Sequence, residues 1–332
     1  MNFRFCLLIT ASVALAADGY EVKQRIPIGG GDTWGYLALD ESARRLYIAN
    51  EMRVVVLDID AGKVVGEIPD TPGIHGVALA PELGKGFTSN GRANNVTIFD
   101  LKTLKPLAEV ATGKDPDSIL FEPQTARVFT FNIASNDATA IDAKTGEVAG
   151  RIKLDGKPTF AVADGSGRIW FNLQILDADW SILSEVGVID AAKLAVLRQS
   201  SIAPCDGPVG LAVDAKNDRL FSVCGNKTMA VIDAETGKVI ATVPVGGGAG
   251  SAGFDPGSGL AFSSNGGDGT LTVVGEVNGK FEAVQTVLTM RGARTLAVDP
   301  KTHNIYLPAV ELGPPPTMPV ISNSLMLLVV GK

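Results

Sequence analysis

A unit of about forty residues recurs through almost the whole chain, and it constrains the possible folds more than any other feature of the sequence. One copy spans residues 117–154 and contains four apolar runs of four to seven residues, separated by Gly, Pro, Asp, Asn or Thr. Short apolar runs bounded by turn-forming residues are typical of strands joined by tight turns. The unit therefore predicts a four-stranded antiparallel sheet.

Two independent landmarks follow this repeat, one present in seven copies of the unit and the other in six. The first landmark ends the first apolar run, and it lies at Asp40, Ala80, Glu122, Asp164, Asp214, Asp255 and Asp299. These positions are 40, 42, 42, 50, 41 and 44 residues apart. The second landmark ends the third run, and it lies at Asp58, Asp100, Asp142, Asp190, Asp233 and Gly275. Two landmarks that share one period argue against chance similarity.

A period near 40 residues with four strands in each unit is the signature of β-propeller blades. The sequence thus predicts an all-β fold, a seven-bladed β-propeller with four antiparallel strands per blade, forming a single domain over residues 18–332. The seventh unit has only three strands, because its third strand ends near the C-terminus. Residues 20–28 resemble the other fourth strands in composition. We expect this N-terminal strand to complete the last blade, which would leave no open sheet edge.

The turns and insertions fit the same architecture. Segments such as 142–146 and 233–237 begin with Asp and end with Gly, so the carboxylate can accept turn amides and the glycine can supply a positive φ. Blades four and seven carry extra residues between their second and third strands, at 173–184 and 312–323. Long loops on a rigid scaffold often bind partners, although a tolerated insertion explains them equally.

The N-terminus predicts export. Residues 1–17 contain one cation, Arg4, then the apolar run 5–15 and the small-residue pattern Ala-Leu-Ala, as in a secretory signal peptide. The run is too short to span a bilayer, and Cys6 lies inside it rather than at its end, which disfavours a lipid anchor. A periplasmic or secreted protein is predicted.

Composition narrows the range of partners. Without residues 1–17 the chain has 28 basic and 36 acidic residues, a formal charge of −8. This charge and the absence of a basic run with aromatic residues argue against nucleic-acid binding. No later apolar segment is long enough to predict a membrane span. The expected partners are a small-molecule ligand or an extracytoplasmic protein.

Two cysteines remain after removal of the leader, Cys205 and Cys224, with 18 residues between them. An even number in an oxidising compartment favours a disulfide, which would stabilise the fold by about 3 kcal/mol through chain entropy. Two buried free thiols are the alternative.

Residues 47–50 have the sequence Tyr-Ile-Ala-Asn, close to the Tyr-Val-Thr-Asn signature of the YVTN, or YncE-like, seven-bladed propellers. Related endings recur at Ser89-Asn90, Phe131-Asn132, Phe171-Asn172 and Ser264-Asn265. The chain resembles this family over residues 20–332, with departures at Cys224 in blade five and Ala309 in blade seven. The resemblance implies a propeller and an extracytoplasmic binding or interaction module, and it assigns no chemistry.

In a propeller the first strand of each blade lines the central channel, so its first residues lie at one mouth of that channel. The position five residues before the first landmark is occupied by Gly35, His75, Asp117, Thr159, Val209, Gly250 and Arg294. Their neighbours Trp34, Asp115 and Ser118 are expected at the same mouth. We therefore predict a ligand site built from Trp34, His75, Asp115, Asp117, Ser118, Thr159 and Arg294.

Several roles are open for these side chains. His75 could ligate a metal or haem, act as a general base, or be a hydrogen-bonded rim residue. Asp117 and Arg294 could hold a zwitterionic or carboxylate-bearing ligand, or pair with each other. The other histidine, His303, falls in the hairpin between the first two strands of blade seven and is expected at the surface, so three or four zinc ligands do not assemble around His75.

No catalytic or cofactor motif is present. Segments 29–31 and 246–248 are glycine-rich, but no helix follows them, so they do not predict phosphate binding. Residues 265–269 lack the oxygen spacing of a calcium loop and predict a tight turn. The leading hypothesis is thus a binding module without a cofactor or metal. The alternatives are a propeller enzyme, either a lactonase-like hydrolase or a cofactor-dependent dehydrogenase subunit, and a haem or metal carrier through His75.

Overall fold

The computed structural model describes residues 19–31, 33–179, 181–314 and 317–332. This part of the chain forms seven four-stranded antiparallel sheets arranged in a ring, which confirms the predicted all-β, seven-bladed propeller. Its one helical element is a 3-10 turn at Pro81–Leu83. The predicted signal peptide, residues 1–17, lies outside the described residues.

The described residues form 28 strands, and after the N-terminal strand β1 at Glu21–Pro27 the other 27 follow one another blade by blade. Blades one to three contain β2 Leu37–Asp40, β3 Arg45–Asn50, β4 Arg53–Asp58, β5 Lys63–Ile68, β6 Ile74–Ala80, β7 Lys85–Asn90, β8 Asn95–Asp100, β9 Pro106–Ala111, β10 Pro116–Glu122, β11 Arg127–Asn132, β12 Asp137–Asp142 and β13 Val148–Lys153. Blades four and five contain β14 Lys157–Ala163, β15 Arg168–Leu176, β16 Ile182–Asp190, β17 Ala195–Ser201, β18 Pro208–Asp214, β19 Arg219–Cys224, β20 Thr228–Asp233 and β21 Val239–Pro244. Blades six and seven contain β22 Ala249–Asp255, β23 Leu260–Asn265, β24 Thr270–Val277, β25 Lys280–Leu288, β26 Ala297–Val298, β27 Ile305–Ala309 and β28 Met326–Gly331.

The two ends of the chain close the ring. Strand β1 pairs antiparallel with β28 as the outermost strand of blade seven, in a register that runs from Glu21 opposite Gly331 to Pro27 opposite Met326. This pairing confirms the predicted closure. Tyr20 just before β1 is buried with its ring 5.3 Å from that of Phe262, so the N-terminal segment also packs against blade six.

The core lies between the blades. Seven clusters of buried apolar side chains fill the seven interfaces, and each cluster draws its residues from two neighbouring blades. The second and third strands contribute most of these residues, because both faces of a middle strand are covered. Fourth strands lie at the rim, where Val64 and Leu107 are exposed. Burial therefore depends on every blade having a neighbour on each side.

Turn carboxylates fix the hairpins, as the sequence predicted. Asp142 accepts hydrogen bonds from the amides of Lys144 and Thr145 at 2.8 and 2.9 Å, and Gly146 closes that turn with a φ of 78°. Glu122, at the end of a first strand, accepts the amide of Thr125 in the same way. These bonds hold the turn amides in a defined geometry and so fix where one strand ends and the next begins.

A second repeated device lies on the far face, the end of the ring opposite the channel mouth. Cations at the start of a second strand reach the next blade, where Arg45 donates to the carbonyl of Leu101 at 3.1 Å and Arg127 to that of Ala191 at 2.6 Å. Between blades one and seven, Arg44 pairs with the buried carboxylate of Asp299 at 2.7 Å. The sequence analysis missed these contacts, although their spacing follows the repeat.

The extra residues of blade four extend its sheet and do not form a separate loop. Strands β15 and β16 are each nine residues long and remain paired to Leu176 opposite Ile182. This differs from the predicted loop at 173–184. The insertion of blade seven contains one isolated bridge, Leu312 to Val320, within residues 312–323. Trp180 of the first insertion and Pro315 and Pro316 of the second lie outside the described residues.

Candidate ligand site at the channel mouth

One cavity of about 570 Å³ opens at the mouth of the channel. Its wall contains a residue from the predicted ring position of every blade, namely Gly35, His75, Asp117, Thr159, Val209, Gly250 and Arg294. The first strands bring these residues together because each strand begins at this end of the ring. Seven positions that are dispersed over about 260 residues of sequence thus surround one space.

The three predicted neighbours have different places. Trp34 lines the cavity. Asp115 contacts His75 from the rim. Ser118 is not part of the wall, because its side chain is buried and its Oγ accepts the amide of Ala161 at 3.1 Å, linking blade three to blade four. Ser118 therefore has a structural contact in place of the predicted ligand role.

Five further residues with side chains line the wall and were not predicted. They are Tyr36, Lys157, Gln174, Ala249 and Thr295. Tyr36 directly follows a ring position, and Lys157 precedes another by two residues, so both could have been found by widening the window around each ring residue. Gln174 reaches the mouth only because β15 pairs with β14, where it lies opposite Lys157. That pairing depends on the long hairpin of blade four.

His75 lies between two carboxylates. Its Nδ1 is 3.5 Å from Oδ1 of Asp117 and its Nε2 is 3.6 Å from Oδ1 of Asp115. Asp115 has a φ of 56°, a left-handed conformation that aspartate tolerates better than most residues. Gly91 leaves room for the pair, since a Cβ there would lie 2.5 Å from the Asp115 carboxylate and 2.8 Å from the imidazole.

Burial controls the protonation of Asp117, whose side chain is only 16 % exposed. Loss of water raises the pKa of Asp117 to about 6, against the lowering effect of His75, while the charge of Asp115 adds to the increase. Lys157 and Arg294 lower the pKa by a smaller amount. Burial and the charge of Asp117 also raise the pKa of Tyr36 above its usual range.

Arg294 is oriented by Trp34. Its Nη2 donates to the carbonyl of Trp34 at 3.4 Å, and its guanidinium carbon lies 5.5 Å from the centre of the indole ring. Among the described residues, no ion pair joins Arg294 or Lys157 to a carboxylate. The direct pairing of Arg294 with Asp117, one of the two predicted alternatives, is therefore not what the structure shows.

Bare main chain forms the wall on the side of blade six. Five glycines lie there, Gly248, Gly250, Gly266, Gly267 and Gly292. A Cβ on Gly250 would lie 2.4 Å from the carbonyl oxygen of Arg294, so glycine is required where the two backbones cross. The charged and aromatic side chains of the wall therefore come from the other blades, with Arg294 of blade seven directly beside the glycines and the rest on blades one to four.

A disulfide supports the rim at blade five. Cys205 and Cys224 are bonded, with an S–S distance of 2.02 Å and Cα atoms 5.6 Å apart, which confirms the prediction. Cys224 pairs with Pro208, and the carbonyl of Pro208 accepts Oγ1 of Thr159 at 2.8 Å and Nε2 of Gln174 at 3.0 Å. The crosslink therefore anchors a backbone group that positions two cavity residues.

The described residues contain no group of three or more His, Cys, Asp or Glu side chains placed to hold a metal ion. No helix there has the length and hydropathy to cross a bilayer. His303, which was expected at the surface, is half-exposed on the far face, and its Nδ1 lies 2.8 Å from the buried carboxylate of Asp255.

No protein-family model and no curated relative matches this sequence. Solved structures do match, and one is hydrazine synthase of Kuenenia stuttgartiensis, with a TM-score of 0.74 and 16 % identity over 97 % of this chain and 99 % of that chain. A chain of a mitotic checkpoint complex has a TM-score of 0.75 at 13 % identity, covering 100 % and 98 % of the two chains. U3-55K has a TM-score of 0.75 at 9 % identity, covering 95 % and 100 %.

These similarities establish the fold alone, because each identity is below the level at which function follows from likeness. The fold and the cavity together define the class of protein, a seven-bladed β-propeller with a concave, charged channel mouth. Its function must be argued from the side chains of that mouth.

Proposed function

We propose that this protein is a binding module that takes up a small polar molecule at the channel mouth. One observation carries the proposal: all seven ring positions, which differ in residue type, line the same cavity of about 570 Å³. Ligand pockets in proteins occupy about 300–1,000 Å³ and combine apolar walls with a few placed polar groups. A cavity of this size favours a small molecule over a protein surface.

The place of action in this proposal is outside the cytoplasm. The Cys205–Cys224 disulfide is compatible with an oxidising compartment. Together with the leader-like residues 1–17 and the YVTN-like strand endings, it supports a periplasmic or secreted protein related to the YncE-like propellers. The similar solved structures carry mixed names, a hydrazine synthase, a checkpoint complex and U3-55K, so none of them supplies the ligand.

A ligand screen tests the proposal. Purified protein would be screened against a metabolite library by thermal shift, and the hits measured by calorimetry. The variant with His75→Ala, Asp117→Ala and Arg294→Ala should lose binding, whereas the far-face variant His303→Ala should retain it. If the triple variant binds every hit as tightly as the unaltered protein, the mouth is not the binding site.

A proton-transfer enzyme, such as a lactonase-like hydrolase, is the second candidate. The observation that favours it is the imidazole of His75 between the carboxylates of Asp115 and Asp117, an arrangement suited to a general base. Turnover of a bound ester or lactone that is lost in His75→Gln, with binding retained, would support it. Binding without turnover of any hit would leave the binding module as the function.

A further inference from the structure

Two cations face the cavity from opposite sides of the ring. Lys157 begins strand β14 of blade four, and Arg294 precedes β26 of blade seven. The first strands contact one another in the ring order β2, β6, β10, β14, β18, β22, β26 and back to β2. Blades four and seven are therefore three positions apart on one side and four on the other. The two side chains lie across the mouth from each other.

Both cations are without a carboxylate partner in the described chain, which distinguishes them from three arginines of the far face. Arg44, Arg168 and Arg219 each pair with a carboxylate. Asp117, the carboxylate in the same wall as Lys157 and Arg294, contacts His75 instead. A guanidinium already oriented by Trp34 loses little freedom when it binds an anion.

The space between the two cations suits an organic linker. On one side lie the aromatic ring of Tyr36 and the imidazole of His75, and on the other lie the glycines Gly250 and Gly266, which have no side chain to fill the space. Neutral hydrogen-bonding groups and flat surfaces can accommodate a short carbon chain or a ring. The charges are at the two ends of the cavity.

We propose that the ligand is a small organic dianion with an acidic group at each end, one bound by Arg294 and the other by Lys157. This inference rests on the proposed function and names the class of molecule that the same cavity takes. A dicarboxylate is the simplest member of that class, since a guanidinium and an ammonium both bind carboxylates.

Proton uptake should accompany binding. The groups that face Asp117 are His75 and Asp115 beside it, Lys157 on blade four, Arg294 on blade seven and Tyr36 on blade one. A bound dianion adds negative charge near Asp117, so this carboxyl group holds a proton more tightly in the complex. The complex then binds more protons than the free protein, and affinity rises as the pH falls from 8 towards the pKa of Asp117, about 6.

Titration calorimetry at about 0.15 M salt tests the inference with four probes of matched length: succinate, butyrate, succinamide and 1,4-diaminobutane. We expect succinate to bind at least about tenfold more tightly than butyrate, since one charge-assisted contact is worth that ratio. Lys157→Gln and Arg294→Gln should each weaken succinate at least about tenfold. Lys102→Gln, an exposed lysine on the far face, is the matched control and should leave affinity unchanged.

Proton uptake by the protein is measured separately from protonation of the ligand by using 1,2-ethanedisulfonate, whose two acidic groups remain ionised between pH 6.5 and pH 8. Its affinity should rise between pH 8 and pH 6.5, and this rise should disappear in Asp117→Asn. A pH-independent affinity would show that the protein takes up no proton, and that part of the inference would be wrong.

Other outcomes overturn the inference itself. Equal affinities for succinate and butyrate, or unaltered binding in Lys157→Gln, would exclude a two-ended ligand. Binding of succinamide or diaminobutane in preference to succinate would exclude an anion. If the metabolite screen still yields a molecule lost in the triple variant, the proposed function survives this failure. If no molecule in the screen depends on the mouth residues for binding, both the proposed function and this inference are wrong.

Discussion

The two ends of the ring differ in what they repeat. On the far face the blades use one set of devices, with turn carboxylates such as Glu122 and Asp142 and inter-blade cations such as Arg45 and Arg127. At the mouth the equivalent positions hold residues of different types, from Gly35 to His75, Asp117 and Arg294. The residues repeated on the far face are needed by every blade to fold and to pack against the next blade. The residues at the mouth differ from blade to blade, so folding does not explain them and a function in binding does.

The charges at the two ends also differ in their partners. Asp299 on the far face is fully buried and paired with Arg44. At the mouth, Arg294 and Lys157 are exposed and face the cavity, and Asp117 is retained there although burial raises its pKa. A protein that only needed stability would gain from a neutral residue at Asp117. The contrast implies that changes at the far face should affect folding and changes at the mouth should affect binding.

The largest loss of stability should come from removing the strand that closes the ring, because both faces of the propeller depend on that closure. Deleting residues 19–28 removes β1 and the buried side chains of Tyr20 and Ile26, whose burial alone stabilises the fold by about 3–6 kcal/mol. It also leaves β28 as an open edge. We expect a large fall in melting temperature and aggregation. Lys23→Ala, an exposed change on the same strand, should have little effect; an unchanged melt of the deletion would contradict the closed-ring account.

Arg44→Gln should destabilise the far face without touching the mouth. Asp299 would remain as a fully buried carboxylate without its ion-pair partner, a change that costs about 3–5 kcal/mol. Urea denaturation would measure the loss. Arg53→Gln, which removes a surface pair with Glu67, should cost no more than about 1 kcal/mol. If Arg44→Gln weakened ligand binding while leaving stability intact, the division between the two ends would be wrong.

Asp117→Asn should stabilise the protein in a pH-dependent way. The pKa of Asp117 is raised in the folded state, so its ionisation costs stability as the pH rises through about 6. The amide removes that cost, and the gain in unfolding free energy at pH 8 has an upper limit of about 3 kcal/mol. Below the unfolded pKa of about 4 the gain should vanish. Denaturation midpoints of the variant and the unaltered protein would be measured at pH 8 and at pH 4. If the variant were stabilised by the same amount at both pH values, the expectation would be wrong.

The smallest effect on stability should come from Arg294→Gln. The side chain is exposed and its one hydrogen bond to Trp34 is long, so the unfolding free energy should change by no more than about 0.5 kcal/mol. Ligand binding should nevertheless be lost, and calorimetry together with a melt would show both results on one sample. A destabilisation above about 1 kcal/mol would make Arg294 a structural residue.

The sequence predicted the repeated parts of the fold well. Strand ends, turn carboxylates and ring closure follow from local patterns, and β10 ends at Glu122, one of the seven predicted ends of first strands. The long hairpin of blade four was missed because its residues were interpreted as an insertion, while pairing continues to Leu176. Extension of an existing sheet depends on cross-strand register, which a period near 40 does not reveal.

The candidate site was predicted in part. The ring position located His75, Asp117 and Arg294 because it follows from counting within each blade. Lys157 was missed because its side chain reaches the cavity from two residues earlier in its strand. Ser118 was misplaced because alternate residues of a strand point to opposite faces, so the neighbour of a cavity residue points into the inter-blade contact.

The pairing of β1 with β28 also sets an order of events in time. During synthesis, residues 21–27 emerge early, but their partner strand consists of residues 326–331 and is made last. Blades one to six can form as the chain grows, whereas the last interface must wait for the final strand. Until then, blades one and six each present an uncovered apolar face. The nascent ring is thus most exposed to aggregation just before it is complete, and any factor that shields it must act in that interval.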